Sequence, residues 1–213
     1  MLSTGFTESL ESSRSTATML PSTCYSASVR SMAVESSMTP LGSVLPDQTL
    51  SDLDDVKHNL LDLRGTGVLV VVFAANHCPY VRHIEAALGD MAREFSATAA
   101  SFVAICSNDT VSHPDDDIAG LKEQKSRAGW DFPYLVDSDQ NVARLFGAVC
   151  TPDFFVYDIE NRLAYRGAFD ASSPKNGEPL TGDDLRTAIS LVLEDHPVPE
   201  PQRPSMGCGI KWR

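Results

Sequence analysis

Six consecutive apolar residues, Val68 to Phe73, are followed by a change of period: the next apolar positions are Val81, Ile84, Leu88, Met91 and Phe95, spaced by three and four. The first pattern predicts a strand buried on both faces, the second one side of an α-helix. A short polar turn, Asn76-His77, joins them and delivers Cys78-Pro79 to the helix start. Proline is accommodated in a first helical turn because its missing N–H would have had no intrahelical partner. Cys78 is therefore expected at a helix N-terminus, where unpaired N–H groups and the macrodipole favour an anion. Helix N-termini lower a cysteine pKa from about 8.5 into roughly the 3.5–7.5 range.

The remaining pattern alternates strands and helices. A short strand is expected around Gln48 to Leu50, and another at Ser101 to Cys106. Asp115 to Asp117 suit the first turn of a helix continued by Ile118, Leu121 and Lys125. A strand near Tyr134 to Val136 leads to a capped helix that ends at Gly147. Asp153 to Tyr157, entered through Thr151-Pro152, and the returning segment RLAYRG form a hairpin. A last helix starts near Thr181 or Asp183 and turns Leu185, Ile189 and Val192 inward. This alternation predicts an α/β domain, a central sheet flanked by helices. Cys78 lies just past the carboxyl end of a central strand, where open α/β sheets place their sites.

Composition divides the chain into three. Residues 1–38 contain sixteen Ser or Thr and no periodicity, and are expected to be a disordered extension with no catalytic part. Residues 39–196 carry the domain pattern, and 197–213 form a proline-rich tail ending in SMGCGIKWR. The formal net charge of −12 argues against a general nucleic-acid binder. No apolar stretch approaches the roughly 20 residues of a membrane-spanning helix. The five cysteines (Cys24, Cys78, Cys106, Cys150, Cys208) are too few for a disulfide scaffold and include no C-x-x-C pair. With no export signal, reduced thiols and a cytoplasmic location are the default.

Taken together, PDQTL, NHCPYVRHI, SND, FPYLVD, CTPDFF, YRG and PSMGCGIKW resemble the thioredoxin-like AhpC/TSA (redoxin) family with a CNHCPYV-type active-site segment, from about Leu41 to Arg213. The resemblance implies a thioredoxin fold with a central mixed β-sheet, thiol redox or antioxidant activity, and a cis peptide at Thr151-Pro152. Here the segment reads AANHCPYV: Ala75 replaces the first cysteine, so no disulfide can form within the turn. The P-x-x-x-T-x-x-C pattern of peroxiredoxins is unmatched too, with Val71 and Ala75 at its proline and threonine positions.

The expected activity is that of a thiol-dependent oxidoreductase reducing a peroxide or a disulfide, with Cys78 as the attacking thiolate. His77 would raise its thiolate fraction as a neighbouring cation. Cys208, between two glycines on a flexible-looking tail that could swing it to Cys78 or simply dock Ile210 and Trp212 against the body, or Cys150, two residues before Pro152, would resolve the oxidised Cys78, failing which an external thiol would. Thr151, Pro152 and Pro79 would shape the substrate-binding face. The partners are a protein or low-molecular-weight thiol reductant and the oxidised substrate. No cofactor or metal is expected, since His83 lies five residues beyond Cys78, around 140° away on the helix. Two alternatives are a redox-inactive thioredoxin-fold binding module and a copper-binding thioredoxin-like protein. Cys106 reads as inert core, Cys24 has no expected role, and Arg82 and Arg166 read as solvated surface.

Overall fold

The computed structural model describes residues 1–2 and 33–213. The expected disorder of residues 3–32, and Cys24 with it, lies outside the described residues. Ordered chain nevertheless begins before the boundary at residue 38, because Ala33–Glu35 forms a strand, β1. The reason is a partner distant in sequence: β1 pairs antiparallel with Met206–Gly209, the last strand.

The strands and helices in chain order are β1, β2 (Thr49–Asp52), β3 (Lys57–Asn59), α1 (Leu60–Arg64), β4 (Val68–Phe73), α2 (Pro79–Glu94) and β5 (Ala100–Cys106). There follow α3 (Ile118–Ala128), β6 (Tyr134–Val136), α4 (Asn141–Phe146), β7 (Cys150–Thr151), β8 (Asp153–Tyr157), β9 (Leu163–Gly167), α5 (Asp183–Leu193) and β10 (Met206–Gly209). Seven strands form a mixed sheet in the order β3-β2-β6-β5-β4-β8-β9. β4 runs parallel to β5 and antiparallel to β8, so all six of its residues are buried. Its side chains alternate between the two faces. Val68, Val70 and Val72 pack with α2 and α5 residues such as Ile84, Leu88, Leu185 and Ile189. Leu69, Val71 and Phe73 pack with Leu60, Val142 and Phe146. Full burial of each such side chain contributes about 1.5–3 kcal/mol, which makes β4 the axis of the domain. The sheet, its helices and their pairing are those of a thioredoxin fold, as expected.

Local detail departs from expectation at α4. Its first N–H groups are not capped by the residue that precedes the helix; the buried Asp137 accepts from Val142 N at 3.1 Å and Ala143 N at 2.9 Å. Gly147, at φ +67°, ends the helix as expected. The larger departure is a second, three-stranded sheet, β1-β10-β7. The C-terminal segment is therefore no swinging tail. Ile210 N donates to Val149 O at 2.9 Å and Lys211 N to Asn108 Oδ1 at 2.8 Å. The Arg144 guanidinium stacks over the Trp212 ring at 4.7 Å. The glycines that suggested flexibility serve close approach instead: a Cβ on Gly207 would lie 1.9 Å from the Thr151 carbonyl oxygen.

Candidate active site

β4 ends at Phe73, and the turn Ala74–His77 is pinned before α2 begins. Asn76 Nδ2 donates to Asp115 O at 2.9 Å, and Arg82 Nε returns to Asn76 O at 2.7 Å. Arg127 donates to Asn76 Oδ1 at 2.9 Å while pairing with the buried Glu85 at 2.7 Å. Arg82, exposed as expected, also holds the turn in shape. Cys78 is the N-cap residue of α2, and the exposed Pro79 opens the helix.

The Cys78 sulfur is completely buried and lies 3.1 Å from the Thr151 carbonyl oxygen, which accepts from the protonated thiol. Thr151 and Pro152 are joined by the expected cis peptide. On the next strand Cys208 stands directly opposite Thr151 in the antiparallel register of β10 and β7. The Cys208 thiol and its backbone N–H both act on the Cys78 sulfur. None of the four described cysteines is in a disulfide.

The Cys78 pKa is lowered to about 6. The largest cause is a hydrogen bond from the Cys208 thiol, opposed by burial and assisted by the Thr151 hydroxyl and the Val81 and Cys208 backbone N–H groups. Val81 N–H belongs to the first turn of α2, so the helix start acts on the sulfur as expected. The Thr151 hydroxyl is buried with no partner at ordinary hydrogen-bond length, so its proton is available to the thiolate.

The other candidates are placed as follows. His77 does not serve Cys78. Its Nδ1 bonds Asp116 Oδ2 at 2.6 Å, and its backbone N–H donates to Asp116 Oδ1 at 3.1 Å. No bond to His77 is among the causes that lower the Cys78 pKa. The Cys150 sulfur contacts the Pro152 carbonyl oxygen at 3.9 Å, and burial, with the charges of Asp153 and Cys78, pushes its thiol far above the ordinary range. The thiol placed against Cys78 is that of Cys208. Cys106 is core, pushed up to about 12 by burial and by Asp116. His83 bonds Ser172 Oγ at 3.0 Å. Arg166, read as surface, is buried, with its guanidinium on Gln202 Oε1 at 2.7 Å and Thr39 O at 2.9 Å.

Asp116 was missed by the sequence reading, which grouped it with two neighbouring aspartates as cap residues. Asp117 is that cap, accepting from Gly120 N at 2.8 Å. Asp116 is buried and also takes Asn108 Nδ2 at 2.8 Å. Nothing within DDD distinguishes the three, because the difference lies in what each faces. A cavity of about 310 Å³ adjoins the sulfurs' supports, lined by Tyr80, Ile84, Pro152, Phe169 and Met206 among others. Among the described residues no group of three or more His, Cys, Asp or Glu could hold a metal ion, and no helix is long and apolar enough to cross a membrane.

Residues 41–166 match the model of the AhpC/TSA family. An uncharacterized conserved protein from Geobacillus kaustophilus is 42% identical, with a TM-score of 0.82 over 85% of this chain and 96% of that one. A hypothetical protein from Sinorhizobium meliloti 1021 is 40% identical, with a TM-score of 0.82 over 84% and 98%. The peroxidoxin BcpB of Mycobacterium tuberculosis shares the fold at 22% identity and a TM-score of 0.54, over 73% and 96%. None of the curated proteins matches the chain.

Proposed function

The chain belongs to the AhpC/TSA family, and from that premise we propose that it is a thiol-dependent oxidoreductase whose working couple is Cys78 and Cys208. The observation that carries this reading is the register Cys208↔Thr151, which puts a second thiol on Cys78 although the turn itself lacks one. Ala75 removed the possibility of a disulfide within the turn, and the C-terminal strand supplies the missing sulfur from the other side. The lowered pKa of Cys78 favours its thiolate near neutral pH.

With a peroxide, the Cys78 thiolate attacks one oxygen of the O–O bond, giving Cys78 sulfenic acid and, after protonation, an alcohol or water. The Cys208 thiol then attacks that sulfur; water leaves and the Cys78–Cys208 disulfide forms. With a disulfide substrate, the Cys78 thiolate displaces one thiol to form a mixed disulfide. Cys208 then displaces the second. In both cases the couple, counted from its dithiol form, loses two electrons and two protons, and two external thiols restore it as they are oxidised to a disulfide. The Val81 N–H and Thr151 hydroxyl support the thiolate, and Thr151 and Pro152 shape the approach. The fold resemblance to a secreted disulfide oxidoreductase homologous to DsbE and to a peroxidoxin is compatible with either substrate.

Peptide mapping by mass spectrometry after mild peroxide treatment tests the couple. The expected product is a Cys78–Cys208 bridge with Cys106 and Cys150 still reduced. Oxidation of Cys78 to sulfinic acid without any bridge would remove Cys208 from the cycle. If Cys78 is unreactive and the protein reduces neither substrate, the reading as a thioredoxin-fold binding module takes its place.

A further inference from the structure

Cys78 and Cys208 are both buried, and Cys208 itself belongs to the β1–β10 pair. One buried ionisable group lies under both of its ends and has no part in the redox steps. Asp153, directly after Pro152, is wholly buried; its Oδ2 accepts from Ser36 Oγ at 3.1 Å, and Oδ1 has no partner at hydrogen-bond length. Ser36 directly follows β1. Ser205, directly before β10, carries the other hydroxyl near enough to support the carboxylate. Ser36 N donates to Ser205 O at 2.9 Å, which ties the two strand ends together over the carboxyl.

We infer that Asp153 is the positioning residue that seats the strand carrying Cys208 on Cys78, and that its ionisation loosens that strand and opens Cys78 to substrate. This rests on reading Cys78 and Cys208 as the working couple. Complete burial favours the neutral acid in the seated state. No counter-charge compensates. Cys150 on β7 and Tyr165 on β9 feel the Asp153 charge, and burial keeps both protonated at neutral pH. Phe73, the β4 partner, is apolar. Among the nearby cations, Arg166 on β9 is engaged with Gln202 and Thr39, and Arg203 pairs with Asp184 at 2.9 Å. Glu35, the charged residue of β1, is exposed.

Burial accordingly raises the carboxyl to about 7, against the donors Ser205, Ser36 and Phe154 N–H. In the released strand the group returns to about 3.9. The seated state therefore binds the proton more tightly. Seating is strongest below about pH 4, weakens roughly tenfold per pH unit up to about 7, and levels off above it. Cys78 acts in the opposite sense, since its ionisation strengthens the bond from Cys208.

The test is hydrogen–deuterium exchange of the reduced full chain from pH 4.5 to 8.5, corrected for intrinsic exchange and read at residues 206–209. It is made in a C78S background, which removes the competing thiol and all turnover, so a failed redox reading and a failed seating role are distinguishable. The expected result is protection that falls about tenfold per pH unit to about 7 in C78S and stays flat in C78S with Asp153→Asn. An equal slope in both, or a flat profile in C78S, overturns the inference. Should the Asn variant fail to fold, Ser36→Ala in the same background removes one donor to the anion, so the levelling-off point moves to higher pH. An unmoved point again overturns the inference.

Discussion

At the residue scale, the chemistry of this chain depends on what surrounds one sulfur. A thiol as buried as Cys78 is ordinarily inert, because burial disfavours the thiolate. Here the Cys208 thiol, the Thr151 hydroxyl and the backbone N–H groups of Val81 and Cys208 outweigh burial. Replacing Cys208 by Ala removes the first of these. The Cys78 pKa should rise toward the ordinary thiol value, seen as an alkaline shift in the pH profile of iodoacetamide labelling. Thr151→Val should move it the same way by less, with Thr151→Ser restoring it; a Val variant with an unshifted profile would show the hydroxyl to be idle. The helix-start position of Cys78 was legible in the sequence from the strand-to-helix change of period and Pro79. The identity of the groups that stabilise its anion was not, because three of the four come from Thr151 and Cys208, remote in the chain. His77 shows the same limit: adjacency to Cys78 suggested a partnership, whereas the ring belongs to Asp116.

At the scale of the element, two short segments decide the site. The turn before α2 is held by Asp116, whose burial opposes ionisation but whose bonds from His77 and Asn108 prevail and keep its carboxyl below the usual range. An acid with a lowered pKa contributes stability above its unfolded value near 3.8, lost as pH falls through the folded value. Asp116→Asn should cost about 1–3 kcal/mol at pH 7 in urea unfolding, with the difference from the parent shrinking as pH falls below about 4. β10 depends on Gly207. A Cβ there meets the Thr151 carbonyl oxygen at 1.9 Å, and backbone on both sides cannot yield as a flexible side chain would. Gly207→Ala should therefore unseat β10, cost about 1–3 kcal/mol or more, and speed Cys78 labelling at pH 7. Unchanged stability together with unchanged labelling would refute the close approach.

At the scale of the whole molecule, the couple links residues at opposite ends of the fold. Cys78 and Cys208 are 130 positions apart, so a bridge between them would close a long loop that runs from the start of α2 to β10. Chain-entropy arguments give such a loop about 4–5 kcal/mol of stabilisation, less any strain. The oxidised protein should therefore melt well above the reduced one in calorimetry, and the difference should vanish in Cys208→Ala. Equal melting temperatures would mean that no such bridge forms on oxidation.

The sequence by itself determined most elements of the main sheet, because they follow from a local period: the buried run of β4, the amphipathic face of α2, the hairpin of β8 and β9; the three-residue edge strand β3 carries no period and was not among them. It also determined the thiol at the helix start, since Pro79 and the change of period are neighbours of Cys78. Tertiary structure alone decided the second sheet. β1 lies in a Ser-rich stretch, and β10 is glycine-rich and short; neither carries a period, and β1 is held by β10 while β10 is held between β1 and β7. That pairing sets Cys208 beside Cys78, the proposed couple. A disulfide partner is set by register across strands distant in sequence, and register is not a local property of the chain.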